Sequence, residues 1–316
     1  MKQVTVLAPA KLNLTLDVTG LLPKGYHALD MIMQTISLYE RVTLRKSQNL
    51  ILRLPGSRIP ANEKNTAYKA ALAFFHYTGL LAGVEMEIQK ATPVRAGMAG
   101  GSADAAAVLV GLNALYEAKL SITELCAIGA EIGADVPFAI LGGTCRVQGV
   151  GDVMKPLPPC PDCWFVVVMP SVGVSTPEAF ARYDEVGSSV HPDSALAEHA
   201  IKQGNLQELC AVSGNALEEC SGAKETPRIK RLLTQNGALT SLMTGSGAAV
   251  FGVFEKEETA RKAADVLKQQ YRQVYVAQPE KWGARVLPAP RKPQSVYTGR
   301  IMSKSMRTEK RYGSAE

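Results

Sequence analysis

Residues 93–104 contain the residue types that most clearly predict chemistry in this sequence. They are rich in glycine and alanine and lead directly into an apolar segment, 105–116, that predicts a helix. Small residues let backbone N–H groups approach a ligand, and a helix start adds unsatisfied donors and the positive end of the helix dipole. The pattern therefore predicts an anion site suited to phosphate, with a close-packed turn as the alternative. The phosphate motifs GxxxxGK followed by Ser or Thr, and GxGxxG, are both absent.

A second glycine-rich segment lies at 244–247. It separates two segments, 239–243 and 248–254, that are predicted to be strands. Such a segment can be a simple hairpin turn. Two loops of glycine and hydroxyl residues in one chain nevertheless suggest two walls around a single phosphate.

Two charged residues are notable for their apolar surroundings. Lys11 begins a segment, 11–19, whose alternation predicts a strand with leucines on its core face and Lys11, Asn13 and Thr15 on the other. Asp135 lies among Ile, Ala, Val and Phe residues, so its carboxylate needs a partner or a function. The alternatives are a solvated strand face for Lys11 and a capping or turn role for Asp135.

Aromatic residues and a histidine also follow a predicted turn and a predicted helix start. Tyr26 and His27 come after a flexible glycine, where they can stack on a ligand and hydrogen-bond to it, or form an ordinary surface turn. Thr176 is predicted to cap a helix with Pro177 at its first position, and Phe180 follows one turn later.

Both halves of the chain mix strands with helices, which predicts an α+β class of fold. No internal repeat is visible, and the Pro- and Cys-rich segment 156–163 is the best candidate for a domain boundary. We therefore predict one domain over 1–160, a second over 161–287, and a basic, disordered tail over 288–316.

This tail supplies most of the net charge of +6 on the 316-residue chain. Residues 291–316 carry seven Lys or Arg and two Glu, so the rest of the chain is nearly neutral. Prolines precede the tail and few large apolar residues lie within it, which predicts a solvated extension. Binding to an acidic partner is the alternative.

The composition indicates a soluble globular protein of the cytoplasm. Apolar residues make up 46% and charged residues 20%, which excludes a disordered or fibrous chain. No apolar run reaches the roughly 18 residues of a membrane helix, and Lys11 interrupts the N-terminal apolar stretch, so neither a membrane span nor a signal peptide is predicted. Six scattered cysteines suit a reducing compartment, and we expect Cys160 and Cys163 to be free thiols in a linker.

Five motifs in order, between residue 4 and about residue 285, resemble those of the GHMP kinases, a family of small-molecule kinases. Three are general to the family: PAKLNL at 9–14, PVRAGMAGGSAD at 93–104 and MTGSG at 243–247. KGYH at 24–27 and IGADVP at 132–137 resemble the members whose substrate has a cytidine diphosphate moiety. Family members usually carry glycine where this chain has Ala96 and Ala99.

The resemblance implies a two-domain GHMP kinase fold: a ribosomal protein S5 domain 2-like N-terminal domain and a ferredoxin-like C-terminal domain, with the active site between them. It implies phosphorylation of an alcohol by ATP, with Mg²⁺ as the metal ion. Ser102 is expected to reach that ion, and Asn65 matches the family's adenine-contacting position. The other residues expected to bind ATP are Pro93, Val94, Arg95, Ala96, Gly97, Met98, Ala99, Gly100, Gly101 and Ala103.

The resemblance also implies catalytic and substrate-binding roles. Asp135 is expected to be the general base for the 2-hydroxyl of a methylerythritol that carries cytidine diphosphate, in the non-mevalonate route to isoprenoids. The resemblance also implies that Lys11 lies beside it, where it keeps Asp135 ionised and offsets charge on the transferring phosphoryl group. Electrostatics agree, since a cation within about 4–6 Å lowers an Asp pKa by ~1–3 units and opposes the effect of apolar neighbours. Tyr26 and Phe180 are expected to stack on the cytosine from two sides. The full set expected to bind substrate is Asn13, Tyr26, His27, Thr176, Phe180, Gly245 and Ser246.

Three other functions fit parts of the sequence. Another GHMP kinase, acting for example on mevalonate or homoserine, would not need the aromatic pair. A non-catalytic member would bind ATP and a sugar-like ligand to regulate a partner, although Lys11 and Asp135 argue against it. Nucleic-acid binding through the tail would fall steeply with salt. We expect a small-molecule substrate, no nucleic-acid or membrane partner, and either a monomer or a homodimer.

Overall fold

The computed structural model describes residues 2–288, apart from the side chain of Lys24. The basic segment 291–316, and with it nearly all of the predicted tail, lies outside these residues. Within them, strands and helices form two sheets with helices packed on them, so the predicted α+β class is confirmed. No helix in the described part of the chain is long and apolar enough to cross a membrane.

The first sheet is built around two long strands, β1 (Gln3–Leu21) and β2 (His27–Ser47), which pair in antiparallel fashion along nearly their whole length. Their register shifts at three places, two of which, Pro9/Ala10 and Asn13/Thr15, lie on either side of Lys11. Such bulges turn side chains in new directions. The sheet also contains β3 (Ile51–Arg53), β4 (Gly83–Gln89), β5 (Thr144–Gly149), β6 (Val153–Pro156), β8 (Gly214–Asn215) and β12 (Arg285–Val286).

Two strands of this first sheet come from the second half of the sequence. The order β12-β1-β2-β4-β3 places β12 beside β1, and β8 pairs with β1 in parallel near Thr15 and Leu16. The polypeptide therefore returns to the first sheet twice after residue 160. The division into 1–160 and 161–287 stays a prediction, and it leaves these two returning strands unexplained.

The second sheet has the strand order expected for a ferredoxin-like domain. Its strands are all antiparallel and lie in the spatial order β11-β7-β10-β9, which is 4-1-3-2 when they are counted along the chain. The strands predicted on either side of 244–247 are confirmed as β9 and β10. The bounds are β7 (Trp164–Met169), β9 (Thr240–Met243), β10 (Val250–Phe254) and β11 (Gln273–Ala277).

Helix α2 (Gly100–Tyr116) is buried against the first sheet. The helix predicted over 105–116 is confirmed, and it begins five residues earlier, within the glycine-rich segment. Residues 103–109 are all buried, and a Cβ at Gly111 would lie 2.5 Å from a methyl of Leu44, so the helix lies very close to the strands. The other helices of this half are α1 (Thr66–Thr78), α3 (Ile122–Ile132) and α4 (Asp135–Leu141).

The helices of the second half begin with α5 (Thr176–Val186), where the predicted N-cap is wrong by one residue. Ser175 occupies the cap position, Thr176 is already helical, and the Thr176 hydroxyl lies 2.8 Å from the hydroxyl oxygen of Ser246 instead. The contact with the second glycine loop thus replaces capping. The remaining helices are α6 (Ser194–Gln203), α7 (Leu206–Val212), α8 (Thr226–Gln235) and α9 (Glu257–Lys268).

The cysteines are all free, as predicted, and Cys160 and Cys163 lie in the connection between β6 and β7. Cys160 and Cys163 are buried in the same apolar cluster as Phe165. A hydrogen bond to Cys160 and burial both raise the pKa of the Cys163 thiol. Protonated, buried thiols of this kind are unreactive.

Candidate active site

A cavity of about 600 Å³ gathers most of the residues predicted to form the site. Its walls come from β1, the two glycine-rich loops and the first turns of α2, α4 and α5. Ala103, Tyr26 and His27 are predicted site residues that do not line it. The predicted residues that do are Lys11, Asn13, Asn65, residues 93–102, Asp135, Thr176, Phe180, Gly245 and Ser246.

The polar face of β1 is buried, which excludes the solvated strand face considered above. Lys11 is only 5% exposed, and its ammonium group donates a hydrogen bond to Asn13 Oδ1. The Lys11 backbone N–H donates to Met98 O at 3.2 Å, and that of Asn13 donates to Thr244 Oγ1 at 3.1 Å. This short piece of β1 therefore contacts both glycine-rich loops.

Lys11 and Asp135 interact electrostatically across the cavity. Burial lowers the pKa of the Lys11 ammonium group, and the charge of Asp135 acts in the opposite direction. Asp135 is half-buried at the first residue of α4, and its carboxylate has no hydrogen-bond partner among residues 2–288. An ammonium group and an available carboxylate therefore face one space, as general acid–base chemistry on an alcohol requires.

The N-terminus of α2 presents free backbone donors to the same cavity. Its cap residue is Ala99, and among residues 2–288 no side chain accepts a capping hydrogen bond from the first N–H groups. Gly100, Gly101 and Ser102 form the first turn and line the cavity. Uncapped N–H groups and the positive end of a 17-residue helix favour an anion there, which is how phosphates are commonly bound.

The two glycine-rich loops pack directly against each other. Ala248 N–H donates to Arg95 O and Ala249 N–H to Ala96 O, both at 3.2 Å. Gly97 has φ +71°, and a Cβ there would lie 2.1 Å from the carbonyl oxygen of Thr244. Only glycine satisfies both conditions, so the close approach of the loops depends on this residue.

Ala96 and Ala99, at two positions where the resemblance leads us to expect glycine, differ in backbone conformation. Ala99 has φ +56°, in the left-handed region, whereas Ala96 does not have a positive φ. An L-residue in that region costs about 1–2 kcal/mol. Of the two alanines, only Ala99 is therefore strained; Arg95, in the same segment, also has a φ of +56°.

Ala99→Gly is expected to raise the free energy of unfolding by about 1 kcal/mol, because it relieves this strain at a small entropic cost. The matched variant Ala96→Gly is expected to lower it by about 1 kcal/mol, because it removes a buried methyl and adds backbone freedom. Denaturant unfolding of both variants tests the assignment. Equal changes in the same direction would contradict it.

A buried group of three charges lies beneath the first glycine-rich loop. The Lys90 ammonium group is 2.7 Å from both Glu40 Oε1 and Asp104 Oδ2, and 3.4 Å from Gly100 O. Burial opposes the charged form of Lys90, but the two carboxylates outweigh it and raise the pKa above 10.5. Burial also raises the pKa of Asp104 from 3.8 to about 7; Lys90 opposes this shift and Glu40 adds to it. One ammonium group thus contacts two carboxylates, and burial favours the protonated form of Asp104.

This shift predicts a pH dependence of stability. Below its folded pKa of about 7, folded Asp104 holds a proton that the unfolded chain, with the usual 3.8, releases. The free energy of unfolding should therefore fall as pH rises from about 4 to about 7, by up to about 1 kcal/mol per pH unit. Denaturant unfolding across this range should show this fall in the free energy of unfolding in wild type and in Asp265→Asn, a control at an exposed position. Asp104→Asn should not show it. An unchanged slope in Asp104→Asn would contradict the prediction.

Asn65 lines the cavity, and the structure gives it a helix-capping role at the start of α1. Its Oδ1 accepts from Ala67 N–H and its Nδ2 donates to Pro60 O, both at 2.9 Å. The neighbouring Thr66 donates to Gly101 O at 2.7 Å. The start of α1 is thereby joined to the start of α2, and the adenine contact of Asn65 stays a prediction.

The predicted aromatic pair is not assembled around the cavity. Tyr26 is 60% exposed and does not line the cavity, whereas Phe180 does. The ring of His27 stacks on Phe180, with centroids 4.6 Å apart. His27 therefore occupies one face of Phe180, and stacking of a base between Tyr26 and Phe180 stays a prediction.

Several residues of the site were not found from the sequence. Lys90 and Asp104 lie at the two ends of the first glycine-rich segment, and this proximity is the signal that identifies them. Asn215 Nδ2 donates to Gly245 O at 2.9 Å and holds the second loop, but nothing in the sequence around it indicates this. The further lining residues are Leu16, Leu29, Met31, Ile59, Lys64, Thr66, Lys90, Thr92, Asp104, Ala134, Val150, Gly151 and Leu217.

The described residues provide no cluster of three or more His, Cys, Asp or Glu side chains that could hold a metal ion. Mg²⁺ commonly keeps several waters and binds through one or two carboxylates together with substrate phosphates. Asp135 is an available carboxylate of the cavity, and the Ser102 hydroxyl lies at the first turn of α2. The donor set therefore fits a Mg²⁺ ion that arrives with phosphates, and not a cage made by protein alone.

Two family models match the chain. The model of the GHMP kinases N terminal domain matches residues 65–143, and that of the GHMP kinases C terminal matches residues 197–273. The first match contains the glycine-rich loop and Asp135. The second contains the loop with Gly245 and Ser246.

Curated relatives align over most of the chain. It is 40% identical over 278 residues to the 4-diphosphocytidyl-2-C-methyl-D-erythritol kinase of Clostridium tetani, which covers 86% of this chain and 98% of that protein. The enzyme of the same name from Bacillus velezensis is 40% identical over 272 residues, covering 85% and 94%.

Solved structures share the whole fold. A crystal structure of 4-(cytidine 5'-diphospho)-2C-methyl-D-erythritol kinase superposes with a TM-score of 0.75 at 32% identity, covering 87% of this chain and 98% of the other. Homoserine kinase from Cytophaga hutchinsonii superposes with a TM-score of 0.72 at 19% identity, covering 91% and 98%, a likeness of fold alone. The implied two-domain GHMP kinase fold is confirmed by these matches. With matches to both family models and relatives at 40% identity over nearly their full length, this chain belongs to the GHMP kinase family.

Proposed function

We propose that this chain transfers a phosphoryl group from ATP to the 2-hydroxyl of 4-diphosphocytidyl-2-C-methyl-D-erythritol, giving the 2-phosphate and ADP. The names of its relatives at about 40% identity support this substrate. The observation that carries the proposal is that Lys11, Asp135 and the uncapped start of α2 face one cavity. GHMP kinases are ATP-dependent small-molecule kinases, and this arrangement provides what such a reaction needs.

In the proposed reaction, the Asp135 carboxylate accepts the proton of the substrate hydroxyl as its oxygen bonds to the γ-phosphorus. The bond from that phosphorus to the oxygen bridging to the β-phosphate breaks, and ADP leaves. The Lys11 ammonium group offsets negative charge on the transferring group, while the backbone N–H groups at the start of α2 hold the phosphates. Positioning by these groups supplies much of the rate enhancement, since phosphoryl transfer has a loose transition state.

We propose Mg²⁺ as the metal ion of the reaction, held by the ATP phosphates with help from Ser102. When bound, Mg²⁺ neutralises the charge that develops on the phosphate oxygens. Ser102 is suitable because its side chain is half-buried in the first turn of α2, among the donors expected to hold the phosphates.

We also propose that the protein works in the reducing cytoplasm on a small molecule, without a nucleic-acid partner. Its six cysteines are all free, which suits that compartment. Its oligomeric state, a monomer or a homodimer, is measurable by sedimentation of the full chain.

The test is ADP formation by the full chain with Mg²⁺-ATP and a panel of alcohols: the cytidyl substrate, homoserine and mevalonate. We expect turnover on the cytidyl substrate alone. The ³¹P NMR spectrum of the product should show the new phosphate on the 2-hydroxyl. Turnover on homoserine or mevalonate but not on the cytidyl substrate would replace this function by that of another GHMP kinase. Binding of both ligands without ADP formation would instead favour a regulatory, non-catalytic member.

A further inference from the structure

One turn of α5 holds the imidazole ring of His27 with three side chains. Phe180 stacks on the ring, Tyr183 meets it edge-on at 6.2 Å, and Asp184 Oδ1 lies 2.7 Å from His27 Nε2. Residues separated by three and four positions share one face of a helix, so a single turn supplies all three contacts. The three contacts together fix the position and the orientation of the ring.

The contact with Asp184 determines which ring nitrogen carries the proton. An ionised carboxylate only accepts hydrogen bonds, so Nε2 must be the donor. In the neutral imidazole the other nitrogen, Nδ1, is then an acceptor. Nδ1 of His27 has no hydrogen-bond partner among residues 2–288, and the side chain is only 10% exposed. An almost buried acceptor is thus available beside Phe180, which lines the cavity.

We propose that Asp184 is a positioning residue that selects cytosine over uracil by holding His27 with Nδ1 as a hydrogen-bond acceptor. The inference rests on the proposed function, and on the expectation stated above that His27 binds the substrate, here through its base. Cytosine presents an amino donor at C4, whereas uracil presents a carbonyl acceptor at the same position. An acceptor at Nδ1 complements the first base and repels the second. A buried polar group left unpaired by the wrong base is a strong source of discrimination.

The test compares kcat/KM for the cytidyl substrate with that for its uridyl counterpart in wild type, Asp184→Asn and Glu185→Gln. The asparagine amide can present either a donor or an acceptor to Nε2, so the proton position of the ring is no longer fixed. We expect the cytosine preference of Asp184→Asn to fall at least about tenfold, through KM of the cytidyl substrate and not through kcat. Glu185→Gln makes the same charge change on the adjacent exposed residue and should keep the wild-type preference.

A second measurement does not depend on turnover. Long-range ¹H–¹⁵N NMR of the histidine side chains, with His27 assigned from His27→Gln, should show Nδ1 unprotonated in wild type and a mixture of proton positions in Asp184→Asn. Asp184 is 51% exposed, so its replacement is expected to leave the fold intact, which the thermal unfolding curve checks.

The outcomes separate the two proposals. If wild type phosphorylates the cytidyl substrate and Asp184→Asn keeps the full cytosine preference, this inference is wrong. The proposed function is then unaffected. A protonated Nδ1 in neutral wild-type His27 overturns this inference as well. Wild type that ignores both nucleotide substrates and phosphorylates another alcohol overturns the proposed function and the base selection with it.

Discussion

Asp135→Asn is expected to lower kcat on the cytidyl substrate by about 10²–10⁴-fold, the range found when a general base is removed. The amide keeps the size of the side chain but cannot take the hydroxyl proton. Asp135 is half-buried at the start of α4 and makes no hydrogen bond to described residues, so its replacement should leave the fold and the loops unchanged. ATP affinity should therefore remain near that of wild type.

Steady-state kinetics together with calorimetric titration of a non-hydrolysable ATP analogue measure the two effects separately. Glu131→Gln is the matched control, since it removes one negative charge from an exposed position near the end of α3 and outside the cavity. A variant Asp135→Asn with wild-type kcat would exclude Asp135 as the general base. Loss of ATP affinity equal to the loss of kcat/KM would indicate a binding role in its place.

Lys11→Met is expected to lower kcat by about 10²–10³-fold, as removal of one preorganised charge-stabilising group commonly does. The ammonium group is buried, so water cannot replace its charge as it can at a surface. Lys69→Met, at an exposed position on α1, is the matched control and should keep full activity. Stopped-flow or steady-state kinetics of both variants measure the effect. A near-normal kcat in Lys11→Met would rule out a catalytic role of Lys11.

The same lysine predicts the alkaline limb of the pH profile. Burial lowers the pKa of Lys11 below 10.5, although the charge of Asp135 opposes the shift. Activity that depends on the ammonium form is complete below this pKa and is lost as pH rises through it, so the limb should begin at lower pH than for an exposed lysine. In Lys11→Arg, whose guanidinium stays charged, the residual activity should not show this limb.

Features set by neighbouring residues could be predicted from the sequence. The phosphate loop, the start of a buried helix after it and the strand–loop–strand around Gly245 each follow from local composition and period. The face of β1 that carries Lys11 also followed from alternation. Whether that face is solvated or covered did not, because alternation says nothing about what packs on a strand. Met98 and Thr244, distant in sequence, contact this strand.

Features that depend on distant partners were missed. Glu40, Lys90 and Asp104 come from three separate segments of the chain. Closeness to the glycine-rich segment marks Lys90 and Asp104, but nothing in the sequence around Glu40 indicates that it joins them. The placement of His27 on Phe180 depends on how α5 packs against the start of β2, which no local pattern specifies. The sequence did not indicate the contact between His27 and Phe180. The predicted stacking of a base between Phe180 and Tyr26, which is exposed, stays a prediction.

The return of β8 and β12 to β1 has a mechanical consequence. The polypeptide passes between the two sheets at several places, and both returning strands attach to the strand that carries Lys11. Two sheets joined by a single linker can rotate freely relative to each other. Two sheets between which the chain passes several times resist such rotation. We therefore expect the walls on either side of the cavity to keep a nearly constant mutual orientation, so that access for ligands depends on loops and side chains more than on a wide hinge.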